Sequence, residues 1–192
     1  MTLVRSLLDF WFGAPGSPEF GATREVWFRK DPAFDAAIRR HFEDELARAR
    51  EGAHDRLIAD PEGALALTIL LDQFSRNLYR GQAKAFAADT KARWVAEQAL
   101  ARGFDERLLP VQRQFFYLPF QHSEMPADQD RSVALYRKLA EADPRLASTV
   151  DYAIRHRGII ERFGRFPHRN AALGRETTEA EANFLAEPGS SF

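Results

Sequence analysis

Three Asp-Pro pairs, Asp31-Pro32, Asp60-Pro61 and Asp143-Pro144, most constrain what this chain can fold into. An Asp accepts hydrogen bonds from the first free N–H groups of a helix, and Pro fits the first helical position, where no donor is needed. Each pair therefore reads as a helix start, and each is followed by apolar residues at helical spacing. Phe34, Ile38, Phe42 and Leu46 recur every four residues, which predicts an amphipathic helix over 32–50. Thr178 and Glu181 have the spacing of a capping box.

Runs of alternating or β-branched residues are not found, and Val occurs singly. The spacing predicts helices at 2–12, 22–29, 32–50, 61–75, 83–102, 110–118, 127–142, 144–163 and 179–186. Gly103 and Gly164 fall where C-caps belong. The class is all-α, with helical hairpins packed in sequence. Residues 1–186 form one domain, and 187–192 read as a frayed tail.

The chain has 192 residues, 45% of them apolar. A compact monomer of this mass exposes roughly 9,000 Å². The net charge of -1 gives no general attraction to nucleic acid or anionic membrane, and neither is expected as a partner. There is no Cys, which excludes disulfides, thiolate metal sites and cysteine nucleophiles and fits a cytoplasmic protein. The N-terminal run Leu3–Gly13 is interrupted by Arg5 and Asp9 and lacks a signal-peptide core, and the most apolar run, Ala64–Leu71, ends at Asp72 well short of a membrane span.

Three segments carry unusual polar residues. In the first, Asp72 sits in the apolar helix 61–75, where a carboxylate is costly unless paired. Arg76, four residues on, is a natural partner if the helix continues, and Asn77 follows it. In the second, Pro119 should kink or end a helix just before His122, Ser123, Glu124 and Asp128. His122 and Glu124 would diverge on a helix, so no metal site is assigned and no cofactor is called for. The third segment, 155–175, holds six Arg against one acid, Glu161, with His156 and His168. His156 shares a helix face with Ile160 and should point inward.

Guanidinium groups bind carboxylates and phosphates through paired donors. Arg157, Arg165 and Arg169 near inward His residues therefore suggest a pocket for a small anionic ligand or an acidic peptide. A hydrolase using His122, His156 or His168 with carboxylates is the alternative. Structural pairing is the plainer reading: Arg157–Glu161 and Asp151–Arg155 are each four apart.

At these residues the chain resembles the bacterial family catalogued as domain of unknown function 924. The resemblance rests on Leu8–Gly13, Trp27–Asp31, Leu70–Gly81, Phe86–Asp89, Tyr117–Phe120, His122–Glu124, Asp128-Gln129 and His156–Thr178. It implies stacked antiparallel helix pairs of the tetratricopeptide-like superfamily, and hence a third use as an interaction scaffold. It implies no reaction. One departure is Ser75, where the family pattern has Pro.

Overall fold

The computed structural model describes residues 2–190. Every regular element among them is helical. Helix α1 (Leu3–Phe12) ends at Gly13. Its last carbonyls are closed by tertiary donors. The Arg24 guanidinium donates to the Phe10 and Trp11 carbonyls, and the Trp27 indole N–H also reaches the Trp11 carbonyl. These ties hold 22–29 to a single 3-10 turn, Glu25–Trp27, in place of the expected helix.

Helix α2 (Pro32–Arg50) starts as expected, with the Asp31 carboxylate accepting from the Ala33 and Phe34 N–H groups. Helix α3 (Pro61–Ile69) starts on Asp60. It continues through a π-helical turn, Leu70–Phe74, into α4 (Ser75–Leu78). The helix thus outlasts its expected end at 75. Ser75, lacking the ring of Pro, leaves the backbone bonds intact, and its buried hydroxyl accepts from Arg50 at 3.1 Å.

The helix expected over 83–102 divides into a 3-10 turn, Ala83–Ala85, and α5 (Asp89–Ala101). Helix α6 (Pro110–Gln121) passes through Pro119 instead of stopping near it. Pro119 lies two residues from the end and, lacking an N–H, cannot donate to the Phe115 carbonyl. The carbonyls beyond it are served by the Gln129 amide, which donates to Gln121 and Ser123 at 2.8 and 2.6 Å. Helix α7 (Pro126–Ala142) follows. Asp143-Pro144 opens only a 3-10 turn, Pro144–Leu146, before α8 (Ser148–Phe163). Gly164 closes α8 in the left-handed conformation. A 3-10 turn (Pro167–Arg169), α9 (Asn170–Leu173) and α10 (Glu179–Leu185) complete the order.

Short connections make α6, α7 and α8 fold back along one another, and α7 packs on both neighbours. Helices α3 and α5 pair likewise, with α2 against the π turn. This pairwise stacking is compatible with a tetratricopeptide-like arrangement. The described residues expose 9718 Å², as expected for one compact domain.

The core is continuous from α1 to α8. Its aromatic centre joins Trp11, Trp27 and Phe115, with Trp27 and Phe115 ring centroids 5.1 Å apart and edge-on. Phe28 is 58% exposed and lies parallel to the Phe115 ring.

The Thr178 box forms: its hydroxyl accepts from the Glu181 N–H, and the Glu181 carboxylate accepts from the Thr178 N–H at 2.8 Å. Thr178→Ala should cost about 1 kcal/mol, readable as faster amide exchange in α10. Beyond 186, the Ser190 hydroxyl donates to the Leu185 carbonyl at 3.0 Å. The remainder of the expected tail, 191–192, lies outside the described residues.

Candidate functional site

The π turn is where the site begins. Its wider hydrogen-bonding loop accommodates one extra residue per turn, and all five of its residues are buried. Asp72 is fully buried there. Its carboxylate accepts from Arg76 at 3.1 Å, from the Gln73 amide at 2.5 Å and from His122 Nδ1 at 2.8 Å. Burial pushes a carboxyl upward, but Arg76 and His122 together outweigh burial and hold Asp72 well below its ordinary value. An ionised carboxylate only accepts, so His122 Nδ1 carries the proton. Burial, then Arg76, pulls His122 below its ordinary value against the attraction of Asp72. The neutral ring therefore presents an unprotonated Nε2, which has no hydrogen-bond partner among the described residues.

Arg76 is shared. It grips Asp89, the first residue of α5, through two bonds of 2.9 and 3.0 Å. Asp89 also accepts from Arg169 at 3.3 Å, and Arg169 donates to the His122 carbonyl at 2.8 Å. The Arg169 guanidinium lies between the rings of Phe86 and Phe166, 4.6 and 4.7 Å from their centroids. Its Nε is buried with no acceptor. Burial, reinforced by Arg76, draws Arg169 down to about 10.

His156 lies behind this group, its ring centroid 6.4 Å from that of His122. Its Nδ1 donates to the Tyr152 carbonyl at 2.8 Å. His168 flanks Phe166 at 5.6 Å between centroids. Burial lowers His156 to about 3, with help from His122, and lowers His168 to about 4, with help from Arg169.

A second chain of pairs fastens the C-terminal segment. Glu124 accepts from the Phe166 N–H at 2.8 Å and from both terminal nitrogens of Arg175. Burial opposes ionisation of Glu124, and these donors overcome it, so its pKa is lowered. Arg175 also holds Asn170, Asn170 reaches Glu181, and Glu181 takes two bonds from Arg165. His122 and Glu124 thus turn to different partners, Asp72 and Arg175.

The structure therefore brings together Asp72, Arg76, His122, His156, His168 and Arg169, with Glu124 and Arg165 in the adjoining chain. It does not bring in three others. Asn77 donates to Asp35 of α2 at 2.7 Å, because the helix turns it about 100° away from Arg76. Arg157 is a surface residue paired with Asp130 and Glu161. Asp128 takes the Ser123 hydroxyl at 2.6 Å and faces Arg93, bracing the turn before α7. The expected Asp151–Arg155 pair is absent among the described residues; the Arg155 guanidinium lies 5.8 Å from the Tyr152 ring centroid instead.

Asp89, Arg175, Glu181 and Gln73 belong to the network without having been singled out as site residues. Asp89 sits in a matched family stretch, but only its distant partners reveal its role. Two open depressions of about 250 Å³ lie away from the cluster. Among the described residues no group of His, Asp or Glu is placed to hold a metal ion.

The fold and site define a single-domain helical protein organised around a buried Asp–His–Arg network. The chain belongs to the family described as bacterial protein of unknown function (DUF924), whose model matches residues 7–189. A solved structure of a protein of unknown function from Agrobacterium tumefaciens is similar, with 40% sequence identity and a TM-score of 0.85. The similarity covers 96% of this chain and 97% of that one. No curated protein matches. No helix among the described residues is long and apolar enough to cross a membrane.

Proposed function

We propose that this protein binds a small anionic ligand where His122, Arg76 and Arg169 meet, and that His122 serves there as an acid/base. One observation carries the reading: a buried, ionised Asp72 fixes the Nδ1–H of His122 and leaves Nε2 as the base. Such a carboxylate sets both the tautomer and the ring orientation. The side chains of His122 and Arg76 remain 13% and 20% exposed, so the dyad reaches solvent from this side.

Arg169 supports the anion half. Asp89 holds it at 3.3 Å but holds Arg76 at 2.9 Å, so an incoming carboxylate or phosphate competes first for Arg169. The chemistry that fits is hydrolytic or proton-transfer work on a carboxylate or phosphate compound. The absence of Cys supports placing the protein in the cytoplasm.

Thermal-shift titration with phosphate, nucleotides and dicarboxylates tests the binding. At least one should raise the melting temperature at millimolar concentration, and Arg169→Gln should remove that rise. Lack of any rise would end the proposal. The ¹⁵N shifts of the His122 ring test the acid/base half. At pH 7 they should report a protonated Nδ1 and an unprotonated Nε2, and the reverse tautomer would contradict it.

A further inference from the structure

Helix α8 carries a glycine that its packing does not require. Gly158 is in the middle of the helix, and a Cβ added there would meet nothing within 4 Å. Mid-helix glycine is unfavourable compared with alanine, so open space beside it calls for a reason. Gly158 lines a depression of about 250 Å³ with Arg155, Ile159, Arg162, Phe163 and Phe184. The four α8 side chains recur around Gly158 at the three- and four-residue steps that place them on one helix face.

The charges here differ from those in the rest of the segment. Arg157, Arg165, Arg169 and Arg175 each reach a carboxylate. Arg155 and Arg162, the two that line the groove, form no ion pair among the described residues. Arg162 lies instead over the rings of Phe163 and Phe184, 4.7 and 5.7 Å from their centroids. A guanidinium stacked on aromatic rings keeps its edge donors directed outward.

We infer that this groove is a second ligand site, separate from the His122 cluster, for a small amphiphile bearing one oxyanion. The apolar body lies over Gly158 against Ile159, Phe163 and Phe184. The carboxylate or phosphate is held by Arg155 or Arg162. The bare backbone at Gly158 lets the body approach the helix axis closely, which any larger residue would prevent.

The test uses the full chain labelled with ¹⁵N and three probes: 4-phenylbutyrate, 3-phenylpropyl phosphate and the uncharged 4-phenylbutyramide. At least one anion should shift the amides of Gly158, Ile159 and Phe163 saturably at millimolar concentration, and the amide probe should not. The two anions together distinguish a carboxylate site from a phosphate site. Arg162→Gln should weaken binding by about tenfold, the loss of one charge-assisted contact. Gly158→Leu should abolish it while leaving the unliganded melting temperature unchanged or raised. Silence toward both anions, equal binding of the uncharged probe, or undiminished binding by Gly158→Leu would each overturn the site.

Discussion

Replacing Arg76 by Met should cost about 3–5 kcal/mol of unfolding free energy, because it leaves the buried Asp72 carboxylate without its cation, while Asp89 keeps only Arg169. Arg76 touches both Asp72 and Asp89. Met keeps the length and apolar stem of the side chain, so lost packing contributes little. Asp72 would retain the His122 and Gln73 donors but lose its nearest full charge. His122 should respond in the same variant. Arg76 depresses its pKa, and Asp72 raises it, so removing Arg76 moves the imidazole upward. Urea denaturation gives the stability change, and NMR titration of the imidazole gives the shift. Adding Asp72→Asn to Arg76→Met should recover much of the lost stability, since the stranded charge is then gone. A single variant as stable as the parent would show that the network does not hold its charges away from water.

Whether a feature was legible in the sequence depended on how far apart its partners lie. The Asp31 and Asp60 caps, the Thr178 box and the Asp72–Arg76 pair are all closed within four residues, and all could be read directly. The shrinking of the expected helix over 22–29 to one 3-10 turn depends instead on tertiary ties, Arg24 and Trp27 to the end of α1, and leaves no local mark. The site shows the same division. Asp72 and His122 are 50 residues apart, and Asp89 and Arg169 are 80 apart, so their meeting depends on how the π turn, α5, the end of α6 and the turn Pro167–Arg169 come together. Arginine density also misled. Arg157 and Arg169 look alike along the chain, but the face of α8 turns one to solvent and the turn after Phe166 buries the other. Asn77, one residue from Arg76, goes to α2 because adjacent residues of a helix point about 100° apart.

Acid should begin to destabilise this protein above the pH range in which carboxylates protonate. His156 and His168 are neutral in the folded state, lowered to about 3 and about 4 mainly by burial. In the unfolded chain both return to about 6.5. Between pH 6.5 and 4 the unfolded state therefore binds more protons than the folded one, and stability must rise with pH across that window. Above 6.5 both states are neutral at these rings and the dependence vanishes. The loss on going from pH 7 to 4 should be on the order of 4 kcal/mol, after allowing that the two rings share one neighbourhood. His122, also lowered, acts in the same direction, whereas Asp72 and Glu124 lie below their ordinary values and add their loss only at still lower pH. Urea midpoints measured at intervals from pH 7.5 to 4 give the slope. His156→Leu with His168→Leu should flatten it by removing the groups that take up protons on unfolding. A parent whose midpoint stays constant down to pH 4.5, or a double variant with an unchanged slope, would mean that these imidazoles are not kept neutral by the fold.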